Sequence, residues 1–196
     1  MNNEDRKNNQ ALEKAICFAV DRHRGAVRKA TTIPYILHPL EAMLILASVK
    51  ADTSLLIAGV LHDTVEDTDT TLEEIAEQFG PEVADLVSAN SEDKSKSWDE
   101  RKSHTIQSLQ DAPLRIKMLV AADKIANLRS IAADDQMLGN DLWKRFNAPK
   151  EKQAWYYYGI KRSLSDLQNI DQTRPLYVEL ARLYDQIFTD RTPEQG

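Results

Sequence analysis

Hydrophobic positions along most of the chain recur at the three- and four-residue spacing of helices, and the alternation typical of strands is nearly absent. Glycine and proline are sparse, with 6 and 7 residues, so few breaks interrupt this pattern. We therefore predict an all-α fold. The predicted helices lie at about 9–24, 39–49, 52–66, 71–79, 81–90, 99–110, 113–132, 140–146, 149–168 and 174–189.

Residues that begin and end helices support several of these boundaries. Thr71 and Glu74 have the spacing of a capping box, and Gly80 suits the end of a helix. Pro81 and Pro175 suit the first turn of the helices that follow. The helical pattern therefore comes with the local signals that helix ends require.

A length of 196 residues suits one domain with a substantial core, and the chain shows no internal repeat or low-complexity linker. We expect a single compact multi-helix bundle over 1–196, with its core at about 10–168. The apolar positions of the last helix, at about 174–189, suit a docking helix or a dimer contact. Whether the chain forms a homo-oligomer stays open.

Composition narrows the class of protein. Hydrophobic residues make up 42% and charged residues 29%, as in ordinary globular proteins. No apolar run approaches the roughly 20 residues of a membrane span, and the polar start resembles no secretory signal, so we expect a cytoplasmic protein without a membrane partner. The net charge of −6 argues against nucleic-acid binding. The single cysteine, Cys17, suits a small core residue.

One stretch, "AGVLHDTVEDTDTTLEE", joins an apolar run to His62, Asp63, Glu66 and Asp67. A continuous helix would place His62 beside Glu66 and Asp63 beside Asp67. Carboxylates near a helix C-terminus face the negative end of the helix dipole, and buried carboxylates are costly unless paired. No Lys or Arg occurs from 51 to 93, so a metal ion or a distant basic side chain must supply positive charge. The alternative is a helix end whose acids face water.

Two further segments carry ionisable residues among apolar ones. His38 lies at the start of an apolar helix, where its imidazole can point into a central cavity. Asp123 and Asn127 lie one turn apart on a helix rich in Ile, Leu, Val and Ala, so Asp123 is a costly buried charge or a ligand. An ion pair with Lys124 or Arg129 is the alternative.

Taken together, these segments supply two imidazoles and two carboxylates from three predicted helices: His38, His62, Asp63 and Asp123. Helices that pack around one point would bring this set together. A mixed nitrogen and oxygen set suits octahedral Mn²⁺ or Fe²⁺ better than the thiolate-rich site of structural zinc.

The same four residues resemble the H…HD…D signature of HD-domain metal-dependent phosphohydrolases. The segments "HRGAVRK", "PYILHP", "LHDTVEDTDTTLEEIAEQFGPEVADLV" and "AADKIANLRSI" are similar to the hydrolase domain of RelA/SpoT-type enzymes, especially stand-alone small alarmone hydrolases, over about 10–168. The resemblance implies Mn²⁺-dependent removal of the 3′-pyrophosphate from the stringent-response alarmone (p)ppGpp. The products are GDP or GTP and pyrophosphate. Fe²⁺ and Zn²⁺ are alternative cofactors.

The resemblance also implies roles for individual residues. Four positions match the family's metal ligands: His38, His62, Asp63 and Asp123. Glu66 and Asp67 match the acidic pair that positions or deprotonates the attacking water. Four positions match substrate contacts: Arg28, Lys29, Asn127 and His23. Lys124 is a further candidate for contact with the phosphates.

The sequence departs from the family near the base and ribose. Ala26 stands where Gln is usual, and "ATTIPYI" replaces a glycine-containing connection. The small-molecule nucleotide could therefore be an adenosine alarmone or NADPH instead of (p)ppGpp. A helical nucleotide-binding module without turnover is a third hypothesis.

The run Trp155–Tyr158 offers aromatic faces, but consecutive helical residues point in different directions, so at most two can share a site.

Overall fold

The computed structural model describes residues 2–91 and 93–189. Within these ranges the chain forms helices and no strand beyond one isolated bridge between Val27 and Pro34, which confirms the all-α prediction. The α-helices are α1 Asn3–Arg22, α2 Leu37–Ser48, α3 Thr53–Leu61, α4 Thr64–Asp67, α5 Leu72–Phe79, α6 Pro81–Asn90, α7 Trp98–Gln110, α8 Leu114–Leu138, α9 Lys150–Ser163 and α10 Arg174–Phe188. Two 3₁₀-helices cover Gly139–Arg145 and Ser165–Asn169.

The predicted helix at 52–66 is wrong in its continuity, because α3 ends at Leu61 and α4 begins at Thr64. Side chains just beyond α3 bind the backbone carbonyls that its end leaves without helical partners. The Thr64 hydroxyl donates to the Leu61 carbonyl at 2.7 Å, and the His62 Nδ1–H donates to the Gly59 carbonyl at 2.8 Å. These two bonds end α3 and hold the turn at His62 and Asp63.

Other boundaries also differ from the prediction. Helix α1 begins at Asn3, because Asn2 and Asp5 form a capping box. Helix α8 continues to Leu138, beyond the predicted end at 132. The segments predicted as helix at 140–146 and at the end of 149–168 are 3₁₀-helices in the structure. Such short 3₁₀ segments are common beside α-helix ends.

Helix α3 lies at the centre of the N-terminal half. It packs against α1, α2, α6 and α8, which explains why it is apolar around its circumference. Gly59 lets α2 approach closely: a Cβ there would lie 2.8 Å from Leu46 Cδ1 and 3.3 Å from the Met43 Cα. This close packing fixes α2 against the end of α3.

Helix α8 is the second central element and packs against α2, α3, α6 and α10. Arg129 of α8 joins α2 to α10, with its guanidinium 3.4 Å from Glu41 and 3.2 Å from Glu179. Arg129 is therefore not the partner of Asp123. The C-terminal helix α10 covers α8 through its apolar face, which includes Leu176, Leu180 and Leu183.

The prediction that Cys17 is a core residue is wrong, because its side chain is exposed. Helix α1 instead buries Ala15 and Ala19, which lie one turn apart and face α3. At the helical period, Cys17 points to the opposite side of α1.

None of the helices within the described ranges combines the length and the apolar character needed to cross a membrane.

Two leucines of α2 provide a test of this packing. Leu46 is fully buried, whereas Leu44 is 62% exposed. We expect Leu46→Ala to lower the free energy of unfolding by about 2–5 kcal/mol, because the change leaves a cavity against α3. Leu44→Ala, the matched control, should cost less than about 1 kcal/mol. Urea denaturation measures both values, and equal losses would contradict the packing of α2.

Candidate active site

Side chains from three parts of the fold meet at one buried point. His38 lies in the first turn of α2, His62 and Asp63 occupy the turn between α3 and α4, and Asp123 lies in the middle of α8. The Nε2 atoms of His38 and His62 are 3.2 Å apart. His38 Nε2 is 3.3 Å from Asp123 Oδ1, and His62 Nε2 is 3.2 Å from Asp63 Oδ2. All four residues predicted as ligands are therefore brought together.

One ligand atom each from His38, His62 and Asp123 lies within 4.8 Å of the others. Asp63 Oδ2 completes the set, at 3.4 Å from His38 Nε2. Two imidazole nitrogens this close cannot both carry a proton without a clash of donors. A cation accepting both lone pairs would explain the contact, so the donor set fits a bound metal ion.

Neighbouring groups hold these donors in orientation. Since the His62 Nδ1–H donates to the Gly59 carbonyl, its Nε2 faces the centre and, in the neutral ring, offers a lone pair there. Asp63 Oδ2 accepts a hydrogen bond of 2.7 Å from the Tyr35 hydroxyl. Asp123 accepts from the Asn127 amide at 2.7 Å and from Lys124 Nζ at 2.6 Å. The predicted alternative of an ion pair with Lys124 is therefore present beside the imidazole contacts.

The electrostatics of the cluster favour positive charge at its centre. Burial lowers the pKa of His62, but Asp63 and Asp123 outweigh this effect and raise it well above its ordinary value. Burial raises the pKa of Asp63, but His62 and His38 lower it well below its ordinary range. Burial also raises the pKa of Asp123, but Lys124 and the two imidazoles outweigh it and lower this pKa well below its ordinary range. Such a site suits a divalent cation with nitrogen and oxygen ligands.

Glu66 and Asp67, the predicted catalytic pair, lie on the short helix α4. Both line a cavity of about 200 Å³ together with His38, Asp63 and Asp123. Lys94, from the connection before α7, donates to the Glu66 backbone carbonyl at 2.5 Å and to Asp67 Oδ1 at 3.0 Å. The basic residue missing from the local sequence is therefore supplied from further along the chain.

A second cavity, of about 310 Å³, adjoins the first. The two cavities share three lining residues: Lys102, Lys124 and Asn127. The larger cavity also has basic side chains from Arg28, Lys29 and Arg145, and aromatic ones from Trp98, Phe146, Tyr156 and Tyr157. Cations beside flat apolar faces suit a ligand that joins phosphates to an aromatic base.

Most predicted substrate contacts lie on this larger cavity. Arg28 Nη2 donates to Asn127 Oδ1 at 3.2 Å, and Lys29 Nζ donates to Asn147 Oδ1 at 2.5 Å. His23 is almost fully buried, with 4% of its surface exposed, and is not among the residues that line the two cavities. Its ring lies 5.0 Å from that of Tyr35, whose hydroxyl donates to Asp63.

Sequence reasoning missed Tyr35, Arg101, Lys102 and Arg145, which line one cavity or the other. The helical spacing of Trp98 and Lys102 on α7 was the available signal, because it places both on one face.

The expectation that at most two residues of the run 155–158 share a site is confirmed. Tyr156 and Tyr157 line the larger cavity, while Trp155 and Tyr158 are exposed.

Comparison with known proteins agrees with this geometry. The HD domain family model matches residues 15–145. The guanosine-3′,5′-bis(diphosphate) 3′-pyrophosphohydrolase MESH1 of Drosophila melanogaster is 31% identical over 182 residues, which cover 89% of this chain and 90% of that protein. The chain spans only 17% of the length of a longer relative, the GTP pyrophosphokinase of Myxococcus xanthus.

Two solved structures are also similar. The 1.85 Å crystal structure of lmo0812 from Listeria monocytogenes EGD-e has a TM-score of 0.74 and 39% identity, covering 78% of this chain and 99% of that one. A metazoan orthologue of SpoT, described as hydrolysing ppGpp, has a TM-score of 0.73 and 29% identity, covering 90% and 94%. The chain therefore belongs to the HD-domain family, and within it to the family of the MESH1 guanosine-3′,5′-bis(diphosphate) 3′-pyrophosphohydrolases.

The proposed ligand set predicts a specific loss of metal binding. We expect His62→Ala to weaken Mn²⁺ binding by more than about 10-fold, because even the loss of an outer-shell partner costs about 10–100-fold. His104→Ala is the matched control, since His104 is exposed on α7, and it should bind Mn²⁺ like the unmodified protein. Isothermal titration calorimetry on metal-stripped protein measures both, after thermal melts confirm folding. Unchanged binding by folded His62→Ala would rule out this centre.

Proposed function

We propose that this chain is a Mn²⁺-dependent guanosine-3′,5′-bis(diphosphate) 3′-pyrophosphohydrolase. It converts ppGpp or pppGpp to GDP or GTP and pyrophosphate. The observation that carries the proposal is the junction of the two cavities at Lys102, Lys124 and Asn127. This junction places a basic and aromatic cavity, suited to a nucleotide, directly beside a donor set suited to a metal ion. The relationship to the MESH1 hydrolases supports the same reaction.

The metal ion would be held by His38, His62, Asp63 and Asp123. A bound divalent ion lowers the pKa of a water from about 15.7 toward about 7 and neutralises charge on a phosphoryl oxygen. Fe²⁺ and Zn²⁺ are compatible with the same ligands. The Gly59 carbonyl and the Tyr35 hydroxyl keep the His62 and Asp63 donors aimed at the centre.

Glu66 and Asp67 act on the attacking water. Their helix, α4, begins directly after His62 and Asp63. Both side chains line the smaller cavity, of about 200 Å³, which we call the metal cavity because three of the proposed ligands also line it. A carboxylate in that position can orient the water and accept its proton without ligating the ion. Lys94 holds Asp67 by an ion pair of 3.0 Å, while its distance to the Glu66 carboxylate is 3.9 Å. We assign the orientation of the water and the acceptance of its proton to this acidic pair jointly.

Cations at the junction hold the 3′-diphosphate. Arg101 and Lys102 of α7 line the metal cavity, and Lys124 lines both cavities. Water attacks the phosphorus bonded to the ribose 3′ oxygen, that P–O bond breaks, and the 3′ oxygen leaves and takes up a proton; positive side chains placed there stabilise the negative charge on the phosphoryl oxygens of the diphosphate during this step. Arg28 and Asn127, hydrogen-bonded to each other, lie where the ribose joins the base cavity. This order of groups matches the order of phosphate, sugar and base in the substrate.

Because the substrate is a nucleotide alarmone, we assign the chain to the stringent response and to the cytoplasm. The test of this function is pyrophosphate release from ppGpp by metal-stripped protein, with and without added Mn²⁺. Fe²⁺ and Zn²⁺ serve as comparison metals, and NADPH and an adenosine alarmone as comparison substrates. Manganese-dependent turnover of ppGpp supports the proposal. Turnover of another nucleotide alone would overturn the substrate, and binding without turnover would favour a nucleotide-binding module.

Substitution of the acidic pair should separate chemistry from metal binding. We expect Glu66→Gln and Asp67→Asn each to lower kcat by roughly 10²–10⁴-fold, the usual contribution of general acid–base catalysis. Mn²⁺ affinity should stay within a few-fold, because neither residue is a proposed ligand. Glu73→Gln, on the exposed side of α5, is the control for loss of one nearby acid and should retain full activity. Full activity in both site variants would refute their assigned roles.

A further inference from the structure

Asp134 lies on α8, beyond the residues to which a role has been assigned. It is seven residues after Asn127 and eleven after Asp123, spacings that keep all three on one face of a helix. At about 1.5 Å per residue, Asp134 is roughly 16 Å along the axis from Asp123 and its side chain leans back toward it. Asp134 therefore faces the larger cavity at the end away from the metal ligands.

A carboxylate in this cavity is unusual. Its basic lining suits a polyanion, and among the lining residues that the structure describes, Asp134 is the only acidic one. Beside phosphates, a carboxylate would weaken binding by repulsion. At the far end of the cavity it can be favourable only where the ligand presents hydrogen-bond donors. That end is where the base of a nucleotide lies if its 3′-diphosphate lies at the metal ligands.

The simpler explanation is an ion pair that supports the fold. Arg145 Nη1 donates to Asp134 Oδ2 at 3.2 Å and so ties the 3₁₀-helix Gly139–Arg145 to α8. Both side chains are partly exposed, and such pairs contribute at most about 1 kcal/mol. The contact joins one nitrogen to one oxygen, although each group can bind in a bidentate manner. Both groups therefore retain capacity for a ligand.

The surroundings of the pair suit a flat base. Ile131 lies one turn before Asp134, and Leu142 lies one turn before Arg145, and both line the cavity. Apolar side chains of this kind pack against the faces of a base and leave its edge to the charged pair. Phe146, next to Arg145, also lines the cavity and is partly exposed, so an aromatic face lies close to the carboxylate and the guanidinium.

Guanine matches the hydrogen-bonding groups of Asp134 and Arg145 better than adenine does. Its edge presents the N1–H and the N2 amino group side by side, two donors for the two oxygens of a carboxylate, while O6 and N7 accept from Arg. Adenine presents its N1 lone pair where guanine presents N1–H, which faces a carboxylate unfavourably. Hypoxanthine lacks the N2 amino group and would lose one bond. Xanthine carries an oxygen in place of that group and would repel Asp134.

We infer that Asp134 selects the guanine base of the substrate by accepting from N1–H and the N2 amino group, with Arg145 oriented beside it. The inference rests on the proposed function in one respect, because the metal end must receive the 3′-diphosphate for the base to reach Asp134. It assigns to this residue the choice among guanosine, adenosine and other nucleotides.

The test measures binding of GDP, IDP, ADP and XDP to metal-stripped protein by calorimetry, so that no turnover is needed. The unmodified protein should prefer GDP. In Asp134→Asn the carboxamide keeps one acceptor and gains a donor, so GDP should bind roughly 5- to 150-fold more weakly, the range for loss of a good bidentate contact. XDP should bind more tightly than before. Asp135→Asn removes the same charge from the next residue, which does not line the cavity, and should leave all four affinities unchanged.

The gain for XDP is decisive, because a role in the fold alone cannot produce it. If Asp134→Asn lowers all four affinities equally, or changes none, the inference is wrong. Failure of the proposed function has a different signature. Guanine selection that depends on Asp134, without turnover of ppGpp, would overturn the hydrolase and leave this inference standing. Turnover of ppGpp without base selection would overturn this inference alone.

Discussion

The structure depends on the mutual compensation of two imidazoles and two carboxylates inside an otherwise apolar core. An isolated charge in such surroundings costs several kcal/mol, so these groups are tolerable only at contact distance from one another or around a cation. His38, His62 and Asp123 each have at most 4% of their surface exposed. Helices α2, α3 and α8 must therefore meet in one register, and the close approach that Gly59 permits helps to fix it.

The sequence was sufficient to predict the helical class and to single out the four ionisable residues that the structure brings together, because helical periodicity and costly ionisable residues are both local signals. It was not sufficient for the break between α3 and α4. The apolar pattern runs through Leu61 without interruption, and the side chains of His62 and Thr64 replace backbone bonds only once the turn exists. The prediction that Cys17 is buried was wrong for a related reason, because an apolar run on α1 does not show which face of the helix is buried.

The nucleotide side of the site was harder to predict than the metal side. Lys94 and Lys102 come to the centre from residues some 30 to 40 positions beyond the ligand pair, and no spacing rule connects them to it. His23 lies near the site in sequence and in space, but it is almost fully buried beside Tyr35. Binding residues carried by different helices are related only through tertiary packing, which a single sequence does not reveal.

One continuous helix, α8, carries Asp123 in the smaller cavity and Asp134 in the larger one. The separation between Asp123 and Asp134 is consequently set by the helical rise and stays constant when neighbouring loops move. A bound nucleotide must fit this fixed distance, and sliding or tilting of α8 would displace Asp123 and Asp134 together. The rest of the lining comes from residues 28–33, the start of α7, the segment 142–147 and α9, and we expect entry and departure of the nucleotide to depend on these elements. The dimensions of the site are thereby set by one core helix, and the rate of exchange by the elements that pack around it.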